Sequence, residues 1–222
     1  MVRHGVEQGL ALSVERVSPQ MFGRATAGHE ARYALAAGFL RPGDVVVDAA
    51  CGIGYGALIL GAHGDVVYCG VDRDASIFAV DERRGWTFIE ADLHSWQPSF
   101  EFDVAVGFET IEHLEDYHVY LDWARRARRY IVVSVPIVPT TQENVFHVHD
   151  FERDDIVQLV TADREWRLFQ YFDQPWEHSC VYVFARRGVA PLDRSDLRPF
   201  HRSFVKRALG PLARRLRAVK PS

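Results

Sequence analysis

The chain has 222 residues, 48% hydrophobic and 25% charged, with a formal net charge of −4, all near the averages of globular domains. That length suits one domain with a buried core and is too short for a cofactor domain beside a full substrate domain. No apolar run reaches bilayer length, and the opening Met-Val-Arg-His-Gly-Val-Glu lacks the apolar core and cleavage site of a secretory leader, so the expectation is no membrane span and a cytoplasmic address.

In chain order, a helix is predicted over about 26–39, followed by the turn Arg41-Pro42-Gly43-Asp44 and the strand Val45-Val46-Val47-Asp48. Further strands are predicted near 66–72, 86–91, 102–108 and 129–135, separated by helices near 54–63, 74–82 and 110–126, with another helix near 151–161. Alternating strands and helices of this kind imply a parallel sheet covered by helices. The pattern then changes. Residues 165–173 and 179–186 are aromatic and β-branched, and the short turn around Gln174-Pro175-Trp176 leaves no room for a crossover helix, so these two strands must pair antiparallel. The expected fold is a doubly wound, mostly parallel α/β sheet of seven strands with a C-terminal hairpin, over 1–186.

Residues 187–222 form a basic extension with ten Lys/Arg and two Asp, which leaves 16 basic and 28 acidic residues for the rest of the chain. Such an extension suits an anionic acceptor, a membrane surface, nucleic acid or the acidic body of a second subunit in a homodimer; a solvated terminal helix is an equal alternative. Phe204, Ala208, Leu212 and Leu216 recur there at helical spacing, with Pro211 as a break. Cys51, Cys69 and Cys180 follow no disulfide or zinc spacing and read as reduced thiols.

The segment Val47-Asp48-Ala49-Ala50-Cys51-Gly52-Ile53-Gly54-Tyr55-Gly56-Ala57 reads as strand, glycine turn and helix. Glycines at 52, 54 and 56 let the backbone turn sharply and approach a ligand closely. Gly52-x-Gly54-x-x-Ala57 also satisfies the dinucleotide fingerprint, with Asp72 at the distance of a ribose-binding acid, so a nicotinamide-dependent oxidoreductase stays open on these residues alone. The same run, preceded by Gly28-His29-Glu30-Ala31-Arg32-Tyr33, resembles the class I S-adenosylmethionine-dependent methyltransferases. Tyr68-Cys69-Gly70-Val71-Asp72, Phe88-Ile89-Glu90-Ala91-Asp92-Leu93 and Phe102-Asp103-Val104-Ala105-Val106-Gly107-Phe108-Glu109 resemble that family's second, third and fourth strands in order and spacing.

The resemblance implies S-adenosylmethionine as cofactor, with Arg32, Asp48, Ala50, Gly52, Gly54, Tyr55, Asp72, Arg73, Asp92, Leu93 and Phe108 around it. Asp72 would accept from the ribose hydroxyls and Asp92 from the adenine amino group beside Leu93. Arg32 would pair with the cofactor carboxylate or sit in a surface salt bridge.

Glu109, Glu112 and His113 lie at i, i+3 and i+4, which on a helix shares one face. Acids in a first helical turn are also favoured by the helix dipole alone. The long connection 136–150, the kind that tends to be functional, adds His147 and His149. With one of these histidines, the cluster resembles metal-dependent O-methyltransferases of the ubiquinone pathway and small-RNA 2′-O-methyltransferases. That resemblance implies Mg²⁺ or Mn²⁺ on Glu109, Glu112, His113 and His147, with His149 as general base. The loop Glu143-Asn144-Val145-Phe146-His147 looks most like methyltransferases of sugars and secondary metabolites. A small-molecule hydroxyl, a saccharide above all, is therefore the expected acceptor, with RNA 2′-O-methylation as the alternative; the acidic body argues against a large nucleic-acid footprint.

Overall fold

The computed structural model describes residues 27–61, 66–74, 86–175 and 177–190. The helix predicted near 74–82 and the terminal segment from 191 onward, with its Phe204–Leu216 stripe, lie outside the described residues. The described elements are α1 (Ala27–Ala37), β1 (Val45–Ala49), α2 (Gly56–Leu60), β2 (Val67–Asp72), β3 (Thr87–Glu90), β4 (Val104–Phe108), α3 (Tyr117–Ala124), β5 (Tyr130–Pro136), α4 (Arg153–Thr161), β6 (Trp166–Gln174) and β7 (Ser179–Arg186). They build a seven-stranded sheet in the order β3-β2-β1-β4-β5-β7-β6. β1 to β5 are parallel, and β7 runs antiparallel to both β5 and β6. The fold and the terminal hairpin are those the sequence implied.

The central strands are apolar on both faces because helices cover both, as a parallel sheet requires. Alternate residues diverge: Val46, Val104 and Val132 pack with α1 and α2, while Val47, Ala105 and Val133 pack with α3 and α4. By the same period of two, Asp48 falls on the α1 face and Ala49 on the other.

The segment predicted as one helix over 110–126 is divided. A short 3-10 turn, Ile111–His113, ends at Leu114, whose backbone is extended (φ −89, ψ 122). The helix restarts at Asp116, whose carboxylate accepts from the His118 amide and caps α3. The local cap outcompetes continuity of the helix, so Glu112 and His113 sit on the short 3-10 turn and not on α3.

At the glycine turn, Gly54 sits at φ 81, a region open to glycine. Gly56 is needed for space: a Cβ there would lie 2.3 Å from Tyr33 Cε1 and 2.9 Å from Asp48 Oδ2. Gly56→Ala should therefore lower stability by about 1–3 kcal/mol, the usual cost of overpacking. Urea denaturation checks this; an unchanged midpoint would show that α1 yields without strain.

Candidate active site

β1 and β4 are neighbours at the centre of the sheet, and a cavity of about 580 Å³ opens at their C-terminal ends. Its lining runs from Ala50, Gly52, Tyr55, Asp72 and Arg73 through Asp92, Leu93 and Phe108 to His113 and His147. Most residues expected around the cofactor and three of those expected around the metal, Glu109, His113 and His147, thus share one space, whereas the buried Glu112 does not line it.

On the cofactor side, Asp72 Oδ2 accepts from the Gly52 amide at 2.9 Å and Oδ1 from the Asp74 amide at 3.3 Å, so the carboxylate fastens the glycine loop to the end of β2. Asp92 is exposed, and its Oδ1 accepts from the His94 amide at 2.9 Å and lies 2.8 Å from the ring Nδ1. These bonds, the backbone one first, hold its carboxyl below the ordinary value.

Asp48 is fully buried and does not line the cavity. Its carboxyl accepts from Tyr68 Oη at 2.6 Å and Tyr33 Oη at 3.0 Å. Burial raises its pKa to about 7; the two tyrosine bonds oppose the rise and nearby Asp72 adds to it. Its direct role here is to tie α1 to the sheet. Tyr33 in turn packs edge-on against Tyr55 and Phe108, with ring centroids 5.2 and 4.9 Å away, and all three line the cavity. Gly54 likewise supports the loop without lining the space.

Arg32, expected at the cofactor carboxylate, is turned elsewhere. It is 1% exposed, donates to Gln174 Oε1 and Glu177 Oε2 at 2.6 Å each, and lies 3.5 Å from Glu109 Oε1. The cavity face of α1 belongs instead to His29 and Tyr33, one helical turn apart. His29 was not singled out from sequence; its i, i+4 relation to Tyr33 was the available signal. Burial first, then the Arg32 charge, lowers its pKa to about 4, so the ring is neutral at neutral pH.

At the opposite end, one ligand atom each from Glu112, His113 and His147 lie within 4.8 Å of one another. His113 Nδ1 donates to the Phe146 carbonyl at 3.1 Å, which leaves Nε2 carrying the lone pair. Thr140 Oγ1 is 2.6 Å from His147 Nδ1, and the two imidazoles meet edge-on at 4.5 Å. Two expected members are not in this group. Glu109 lies before the 3-10 turn, at φ 48, so the helical spacing that grouped it with Glu112 and His113 does not apply. His149 Nε2 donates toward the Leu114 and Glu115 carbonyls at 3.0 and 3.2 Å, its ring leans on Tyr117, and it does not line the cavity. It therefore closes the loop against the gap before α3 and is not presented as a base.

The three cysteines are buried free thiols, as expected. No helix among the described residues is long and apolar enough to cross a membrane.

An open parallel sheet of this order, with a glycine loop after β1 and acids at the ends of β2 and β3, defines a nucleotide-type cofactor site at a topological switch point. Residues 20–185 match the model of a methyltransferase-domain family, and the chain belongs to it, among the class I S-adenosylmethionine-dependent methyltransferases. No curated protein matches the chain. Similar solved structures include magnesium protoporphyrin IX methyltransferase from Synechocystis PCC 6803 with bound S-adenosylhomocysteine (TM-score 0.58, 16% identity, 72% of this chain and 84% of that one). Another is the Burkholderia thailandensis 1,6-didemethyltoxoflavin N1-methyltransferase with its substrate and S-adenosylhomocysteine (TM-score 0.58, 19% identity, 84% of this chain and 92% of that one). A third is a methyltransferase of calicheamicin biosynthesis (TM-score 0.55, 18% identity, 72% of this chain and 54% of that one). The nicotinamide alternative ends with the family match.

Asp48 supplies a pH test. Its folded-state value of about 7 lies above the ordinary 3.8, so across that interval the folded chain holds a proton that the unfolded chain has lost. The associated stability is complete below the lower value and is lost as pH rises through the upper one. Asp48→Asn removes this dependence. Urea unfolding free energies should shift in favour of the variant as pH rises from about 4 to about 7 and level off above that; a difference independent of pH would contradict a protonated Asp48.

Proposed function

We propose that the cavity holds S-adenosylmethionine against the glycine loop and presents its methyl group to a hydroxyl of a small molecule bound near Glu112, His113 and His147. The observation that carries this reading is the continuity of the cavity from Ala50 and Gly52 to His113 and His147. In it, Asp72 takes the ribose hydroxyls, Asp92 and Leu93 the adenine, and the backbone at Ala50 and Gly52 the amino-acid part, with Tyr33, Tyr55 and Phe108 as an aromatic wall. Holding both reactants in one enclosed space supplies the orientation that in-line displacement at the methyl carbon needs.

The ion implied by the motif would have a narrower set of ligands than the sequence implied. Glu112, His113 and His147 would hold it, with the Phe146 carbonyl fixing the His113 ring through Nδ1. One carboxylate and two imidazoles are a nitrogen-rich set, which suits Mn²⁺ or another transition ion better than Mg²⁺. A bound cation would lower the pKa of an acceptor hydroxyl that touches it. In its absence His113 Nε2 is the base that the geometry favours, since His149 faces away. The acceptor is a saccharide or secondary-metabolite hydroxyl; the RNA alternative depends on the basic extension outside the described residues.

Two experiments test this. Asp72→Ala should weaken S-adenosylmethionine binding about tenfold or more, through the lost ribose acceptor and the released Gly52 amide; unchanged affinity by calorimetry would place the ribose elsewhere. Screening sugars, phenols and RNA for methyl transfer with and without EDTA separates the two activation modes. Loss in EDTA with recovery on Mn²⁺ identifies the ion. Full activity in EDTA, with His113→Ala about 10²–10⁴ slower, identifies the base. Transfer to no hydroxyl acceptor, but to a nitrogen or carbon one, would overturn O-methylation.

A further inference from the structure

The motif Glu109-x-x-Glu112-His113 places its first acid with its other two members, yet the structure engages Glu109 elsewhere. Glu109 Oε1 accepts from Ser134 Oγ at 2.7 Å and Oε2 from Ser179 Oγ at 2.9 Å, with Arg32 Nη2 3.5 Å from Oε1. Its backbone amide is held as well, 3.1 Å from both the carbonyl and the hydroxyl oxygen of Ser134. Ser134 lies on β5 beside Phe108 of β4, and Ser179 opens β7 opposite Pro136, so the sheet register delivers both hydroxyls to the end of β4.

Both serines are essentially fully buried. A Glu109 side chain swung toward His113 would strip Ser134 of its carboxylate acceptor and leave Arg32 with less countercharge, a costly change for buried polar groups. The backbone at Glu109 is left-handed, at φ 48, a conformation that a non-glycine residue keeps only when its surroundings impose it. The turn bearing Glu112 and His113 begins two residues later.

We infer that Glu109 is a positioning residue and not an ion ligand: clamped by Ser134, Ser179 and Arg32 where it lines the cavity, it fixes the left-handed corner that sets the turn bearing Glu112 and His113 and holds His113 at the cavity. This rests on the reading of that cluster as the acceptor end, and its test separates the two. The full chain is titrated with Mn²⁺ alone, followed by electron paramagnetic resonance, for the wild type, Glu109→Gln and Glu112→Gln. Glu109→Gln should bind Mn²⁺ within about threefold of the wild type and Glu112→Gln at least about tenfold more weakly; a loss in Glu109→Gln equal to that in Glu112→Gln makes Glu109 a ligand and overturns the inference.

If the wild type takes up no Mn²⁺, the ion reading fails and the positioning role is decided by the histidine-ring NMR signals of His113 and His147 without metal. Glu109→Ala should displace both, and Glu109→Gln, which keeps partners for the serines, should restore them. Signals unmoved in Glu109→Ala, or displaced equally in both variants, overturn the inference. Should Glu109→Ala fail to fold, Ser134→Ala removes one clamp and carries the same expectation.

Discussion

The architecture of this enzyme depends on how β1 and β4 end. They are parallel neighbours whose onward connections lead to opposite sides of the sheet, so no connection closes the space between their C-terminal ends. Each strand is followed at once by a left-handed non-glycine residue, Ala50 at φ 52 and Glu109 at φ 48. Such corners cost of order 1–3 kcal/mol each and must be held from outside. At Ala50 the holders are the Cys51 amide on the Val71 carbonyl and the Gly52 amide on Asp72. At Glu109 they are Ser134, Ser179 and Arg32. Both corners line one cavity, which brings the proposed cofactor loop and the proposed acceptor cluster to the same space.

α1 serves both corners through two polar side chains on different faces. Tyr33 reaches the buried Asp48 behind the glycine loop, and Arg32 reaches Glu109, Glu177 and Gln174 behind the acceptor end. The same helix puts His29 and the ring of Tyr33 on the cavity wall. Gly28 makes the second anchorage feasible, since a Cβ there would collide with the Glu177 carboxylate. Removing one partner from a buried charged group is strongly destabilising, so α1 is expected to be a rigid wall of the site and not a lid.

Sequence patterning revealed the sheet well because the signals are local. The apolar runs of β1, β4 and β5, interrupted only by Asp48 and Ser134, mark strands covered on both faces, and the short turn before Ser179 dictates an antiparallel pair. The cavity-lining residues on the loop and strand ends were legible for the same reason, as their backbone carries them to the cavity. Side-chain direction was less legible. Arg32 is captured by Gln174 and Glu177, and His149 by carbonyls at Leu114 and Glu115, partners 34 or more residues away that no spacing rule anticipates. The separation of Glu109 from the helical spacing of Glu112 and His113 has a nearer cause: the pattern reads as one helix soon after β4, whereas Asp116 caps a later start.

The central claim is that one cavity joins the proposed cofactor loop to His113 and His147, with the reacting methyl between them. A crystal structure of the full chain with S-adenosylhomocysteine tests it most directly. The account predicts ribose hydroxyls on Asp72, adenine beside Leu93 and Asp92, and the sulfur facing the His113–His147 pair. A ligand bound in this cavity with its sulfur directed away from those histidines, or bound outside the cavity altogether, would contradict it.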